Sequence, residues 1–74
     1  MLLGVPKEIK THEYRVGLTP TSVREVTHHG HQVVVETSAG AAIGLDDEDY
    51  RQAGAEIVGS AADVFSRADM VVKV

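Results

Sequence analysis

The chain has no cysteine and no tryptophan, only two prolines, and an aromatic share of 4%. Without cysteine there is no disulfide framework and no thiolate metal site, the usual supports of a small domain with little core. At 74 residues a folded chain buries only about 60% of the surface that it exposes when unfolded, so its stability is marginal. Association or further chain is left as the source of support. Long apolar runs are also missing: nothing approaches the roughly 20 residues of a membrane span, and MLLGVPKEIK lacks the extended apolar core of a signal peptide. A cytoplasmic location is the expectation. Positive charge is scarce too, with 7 Lys and Arg against 11 Asp and Glu and a net charge of −4. That balance argues against nucleic acid or an anionic membrane as partner, because both select a basic field. Small molecules and proteins are the expected partners.

What is present is an ordinary globular balance, 43% apolar and 24% charged, arranged in alternating segments. Leu2 to Val5 is a short apolar run closed by Pro6, which cannot continue a strand ladder. From Lys7 to Leu18 the chain is charged and aperiodic and is expected to be a loop. Thr19 then offers a helix cap, Pro20 suits the first helical position, and Leu18 with Val23 has the spacing of a hydrophobic staple. This first helix runs to about His29 and is ended by Gly30.

A second strand is expected over His31 to Glu36, around the β-branched run Val33, Val34 and Val35. After the small residues 38–44, Asp46 begins a helix that Gly54 ends, and the short strand Glu56 to Val58 follows. Ser60 and Asp63 form a capping-box-like pair for a third helix that ends near Ala68. Met70 to Val74 reads as a fourth strand. Alternation of this kind implies crossover connections and a parallel sheet with helices on its faces, a Rossmann-like α/β fold. A chain that stops inside an apolar strand is expected to be a piece of a larger one, because the open edge would leave backbone groups unpaired.

The stretch GVPKEIKTHEYRVGLTP, Gly4 to Pro20, continuing through Ser22, Val23 and Gly30, resembles the opening signature of the alanine dehydrogenase and transhydrogenase α-subunit family. GHQVVVETSAG, QAGAEIV and ADMVVKV extend the resemblance over nearly the whole chain. Three residues depart from the pattern: His12 replaces the usual asparagine, Gly17 the usual alanine and Val26 the usual leucine. The resemblance implies that residues 1–74 are the N-terminal part of a substrate domain. The NAD-binding domain and the catalytic histidine and aspartate then lie elsewhere, so no catalytic or cofactor-binding residue is expected in this chain and the chain alone is expected to be inactive. The implied whole enzyme is an NAD-dependent alanine dehydrogenase, a homo-oligomer that is typically hexameric in the family. A transhydrogenase α-subunit and a non-catalytic α/β interaction module are the alternatives. The residues after Val74 discriminate the first two: Lys-Glu-Pro marks the dehydrogenase and Asn-Ala-Pro the transhydrogenase.

Arg15 matches the arginine that in this family holds the carboxylate of pyruvate or alanine. Composition alone makes it a solvated loop residue paired with Glu8 or Glu13; the motif match reverses that reading. A guanidinium stays charged and offers two parallel N–H donors, so it orients a carboxylate as well as attracting it. Glu8 and Glu13 are expected to orient Arg15 or to be solvated, the acid/base pairing being the weaker reading. Lys73 stands before the position of a family substrate lysine, and that role is not carried over to it.

His28, His29 and His31 invite a metal, but two of them sit in the last helical turn, where the helix dipole favours an imidazolium and the three rings do not readily converge. The run Asp46, Asp47, Glu48 and Asp49 lacks the ligand spacing of a calcium loop and suits a helix start. No metal is expected. No GxGxxG or P-loop pattern occurs; Gly40-Ala-Ala-Ile-Gly44 has the wrong spacing.

Overall fold

A computed structural model of the chain describes residues 1–8 and 16–73. Its strands are β1 (Leu2–Val5), β2 (Gln32–Glu36), β3 (Glu56–Val58) and β4 (Met70–Val71), and its α-helices are α1 (Pro20–His28), α2 (Asp47–Gln52) and α3 (Ala61–Arg67). All pairings are parallel, in the order β3-β2-β1-β4. The expected Rossmann-like α/β sheet is thus present. One short 3₁₀ turn, Ala41–Ile43, sits in the stretch that the sequence marked only as small and flexible.

Each helix starts where its side chains supply a hydrogen-bond acceptor for a free backbone N–H. Thr19 accepts from the Ser22 amide at the head of α1, with Pro20 at the first helical position. Asp46 and Asp49 form a full reciprocal box on α2, at 2.9 and 3.0 Å. Ser60 accepts from Asp63 at the head of α3. The reciprocal box therefore stands at α2. Gly30 and Gly54 leave α1 and α2 with φ of +89° and +109°, the left-handed backbone that glycine adopts without strain.

Side chains alternate across the pleat and give the sheet two apolar faces. Leu3, Val5, Val33 and Val35 pack with Val23 of α1 and Tyr50 of α2. Val34 and Val58 pack with Val64 of α3 on the other face. Because helices cover both faces, β2 reads as an unbroken valine run and not as an alternation. Val64 is fully buried, which is worth about 1.5–3 kcal/mol for such a side chain. Gly4 lets α3 approach β1: a Cβ there would lie 2.6 Å from the Ala68 Cβ and 2.7 Å from Val64 Cγ1.

Of the Met70–Val74 expected as a strand, β4 takes Met70 and Val71, Val72 and Lys73 lie beyond it, and Val74 is outside the described residues. β4 pairs with β1 only through Leu3↔Met70 and Gly4↔Val71, and a further hydrogen bond from the Val72 amide to the Gly4 carbonyl, 2.8 Å, ends the described ladder. The reason is geometric, since β1 offers no N–H beyond Val5 until Lys7, Pro6 having none.

Candidate functional site

Successive strands step from β1 to β2 to β3 in one direction, and the chain then crosses back under α3 to place β4 on the far side of β1. The strand order therefore reverses between β1 and β4. At such a switch point the connections leave in opposite directions and open a crevice beyond the carboxyl ends of the strands, where parallel α/β sheets bind ligands. The segment that leaves β1 here is residues 6–18.

A cleft lies at this end of the sheet, lined by Pro6, Lys7, Glu8, Ala61, Phe65 and Lys73. Two lysines and one glutamate line it together with Pro6, Ala61 and Phe65, and Phe65 and Lys73 are exposed. Phe65 presents just over half of its surface to solvent, 53%. Lys73 follows the end of β4 and is exposed.

Arg15, the one substrate-binding residue named from the sequence, lies outside the described residues, as do His12 and Glu13. The chain on either side of that stretch is well placed, however. Lys7 donates its backbone N–H to Glu36 Oε1 at 2.8 Å. The Leu18 carbonyl accepts the Tyr50 hydroxyl at 2.8 Å. Val16 and Leu18 pack against the α1/α2 core, and Gly17 abuts the Val72 carbonyl so closely that a Cβ would overlap it. Gly17 thus lies against the chain just past the end of β4.

Tyr50 is fully buried, and burial first, then the nearby Asp49 charge, pushes its hydroxyl above the ordinary tyrosine value. It remains a neutral donor. Neither Glu36 nor Tyr50 stood out in the sequence. The available signal was a single aromatic residue among the acidic residues of α2, and a carboxylate directly after an apolar strand.

Arg67 makes a bidentate pair with Glu56, 2.7 and 2.9 Å, at the amino ends of the strands, opposite the cleft. The hydrogen bonds, then the charge, of Arg67 hold the Glu56 carboxyl below its ordinary range, and Arg67 is raised in return. His28 and His29 lie edge to face with centroids 5.9 Å apart, and His29 is 3.7 Å from Glu25 in an exposed i,i+4 pair. Among the described residues no group of three or more His, Asp or Glu converges as a metal site, and no described helix is long and apolar enough to cross a membrane.

The described residues do not fit a dinucleotide either. The connection from β1 to α1 carries Pro6, Lys7 and Glu8 where a pyrophosphate turn needs glycines, and α1 opens on Pro20, which has no N–H to offer.

A family model described as alanine dehydrogenase/PNT, N-terminal domain, matches residues 4–74. An alanine dehydrogenase of Mycolicibacterium smegmatis is 47% identical over the whole chain, and alanine dehydrogenase 2 of Staphylococcus aureus is 50% identical. The chain spans 20% of the length of each. Among solved structures, an L-alanine dehydrogenase superposes with a TM-score of 0.94 at 57% identity, covering 99% of this chain and 20% of that one. A transhydrogenase from Sinorhizobium meliloti superposes with a TM-score of 0.89 at 36% identity, covering 99% of this chain and 21% of that one. A parallel β3-β2-β1-β4 sheet and a family match from Gly4 to the last residue lead to one conclusion: the chain belongs to the alanine dehydrogenase/PNT N-terminal domain family.

Proposed function

We propose that residues 1–74 are the N-terminal part of the substrate domain of an NAD-dependent alanine dehydrogenase, which converts L-alanine, NAD and water to pyruvate, ammonia and NADH. Arg15 binds the substrate carboxylate. The observation that supports this reading is the position of the described residues on either side: Lys7, Gly17 and Leu18 lie at the carboxyl ends of β1 and β4, at the switch point. An arginine presents two donors to a carboxylate and so sets which face of the substrate Cα meets the nicotinamide, a geometric role on which rate depends steeply.

NAD and the groups that move protons belong to the part of the enzyme outside these residues, and this chain alone is inactive. The whole enzyme is a cytoplasmic homo-oligomer, a hexamer by family resemblance, with alanine and pyruvate as its small-molecule partners. The transhydrogenase reading has support from the Sinorhizobium meliloti structure, but 36% identity there against 57% to an L-alanine dehydrogenase favours the dehydrogenase.

The test uses the full-length enzyme with Arg15→Lys and Arg15→Ala. Both are expected to raise KM for alanine and pyruvate and to leave KM for NADH unchanged. Wild-type substrate KM values in both variants would remove the carboxylate role. Hydride exchange between two nucleotides, without alanine-dependent NAD reduction, would select the transhydrogenase.

A further inference from the structure

We infer that the groove between α1 and α2 is a contact with a second copy of this chain, made through paired Arg24 and Asp49 side chains about a two-fold axis. This contact is independent of the reaction that the enzyme carries out. The groove has a volume of about 420 Å³, with Pro20, Thr21 and Arg24 on its α1 wall, Asp49 and Gln52 on its α2 wall, and Leu45 ahead of α2. It shares no residue with the cleft at the carboxyl ends of the strands.

Its two walls carry opposite charges that do not bond to each other. Arg24 is exposed, and its guanidinium makes no hydrogen bond or ion pair among the described residues. Asp49 accepts the Asp46 amide with Oδ2 alone, at 3.0 Å. The neighbouring charges of α2 are already matched, since Glu48 pairs with Arg51 at 3.3 Å. Pro20 and Leu45 add half-buried apolar surface to the groove, and Ile43, two residues before Leu45, is 43% exposed on the same connection.

A patch with a cation on one wall and an anion on the other is its own complement. Turned by a two-fold rotation, it sets Arg24 against Asp49 of the partner subunit and Asp49 against the partner's Arg24, so that one patch yields two ion pairs. Any other occupant must supply both charges at the same separation, whereas a second copy has them by symmetry. The net charge of −4 makes copies repel in most orientations, which favours the one contact that brings unlike charges together.

The experiment uses the full-length enzyme with Thr21→Cys, alone and combined with Arg24→Glu or Arg24→Lys, treated at micromolar concentration with a bis-maleimide. Mass spectrometry reads the yield of the link between position 21 of one copy and position 21 of another, and circular dichroism checks the fold. Thr21→Cys alone is expected to give this link, at a yield that holds on dilution. Adding Arg24→Glu is expected to lower the yield at least about tenfold, because like charges then face each other at both pairs. Adding Arg24→Lys keeps the charge and most of the link. No link in the Thr21→Cys enzyme overturns the contact, as does a yield that falls in proportion to dilution, the mark of random collision. A link that survives Arg24→Glu, or that Arg24→Lys abolishes as fully as Arg24→Glu does, overturns the ion pairs.

Discussion

The Asp47 carboxylate holds Ser38 in a left-handed backbone: Oδ1 accepts the Ser38 amide at 2.8 Å, and Oδ2 accepts the Thr37 hydroxyl. Ser38 has φ of +64° and is the one non-glycine with positive φ among the described residues. The bond turns the chain out of β2 and toward α2, whose first residue is Asp47 itself. One side chain therefore both opens the helix and fixes the turn that leads into it.

Acid should release this turn. Asp47 is held below its ordinary value, first by the Thr37 hydrogen bond, then by the Ser38 amide, with Arg51 assisting and burial opposing. A carboxyl whose pKa is lower in the folded state contributes stability above its unfolded value, about 3.9, and loses that contribution as pH falls through the lower folded value. Asp47→Asn is thus expected to lower the thermal midpoint at pH 7, and the gap to wild type should close toward pH 3. A gap equally wide at both pH values would refute the assignment.

Ser38→Gly is expected to stabilise by up to about 1.5 kcal/mol. Relief of the left-handed conformation is worth roughly 1–2 kcal/mol, and the extra chain entropy of glycine returns roughly 0.5–1 kcal/mol of it. Ser38→Val should instead cost about 1–3 kcal/mol, because a β-branched side chain tolerates this backbone least. Thermal melting of the two variants checks the order, and a valine variant as stable as the glycine one would contradict the strain.

Gly4→Ala is expected to cost about 1–3 kcal/mol through overpacking. The new methyl would meet Val64 and Ala68 at under 3 Å, and α3 must lift off the sheet to admit it. Since α3 borders the cleft through Ala61 and Phe65, the pyruvate KM of the proposed full-length dehydrogenase should rise along with the loss of thermal stability. An unshifted midpoint would mean that α3 yields more easily than its packing indicates.

Much of the fold is legible in short range. Thr19-Pro20, Asp46 with Asp49, and Ser60 with Asp63 mark three helix starts, because a cap is a contact between residues three apart. Gly30 and Gly54 mark two ends for a similarly local reason. The family was legible too, since a long run of side-chain identities from Gly4 to Pro20 needs no coordinates. The 3₁₀ turn and the early end of β4 were not, and the second depends on where Pro6 stops its partner.

The same division runs through the site. By itself the sequence determined most of the strand runs and helix starts and the family signature in which Arg15 stands, because periodicity, capping and motif are properties of neighbours along the chain. Only the tertiary structure decided that β4 crosses to the far side of β1, and that Glu36 bonds to Lys7 and Tyr50 to Leu18. Those bonds join residues 29 and 32 positions apart, a separation at which no local pattern constrains the partner until the sheet has brought the two together.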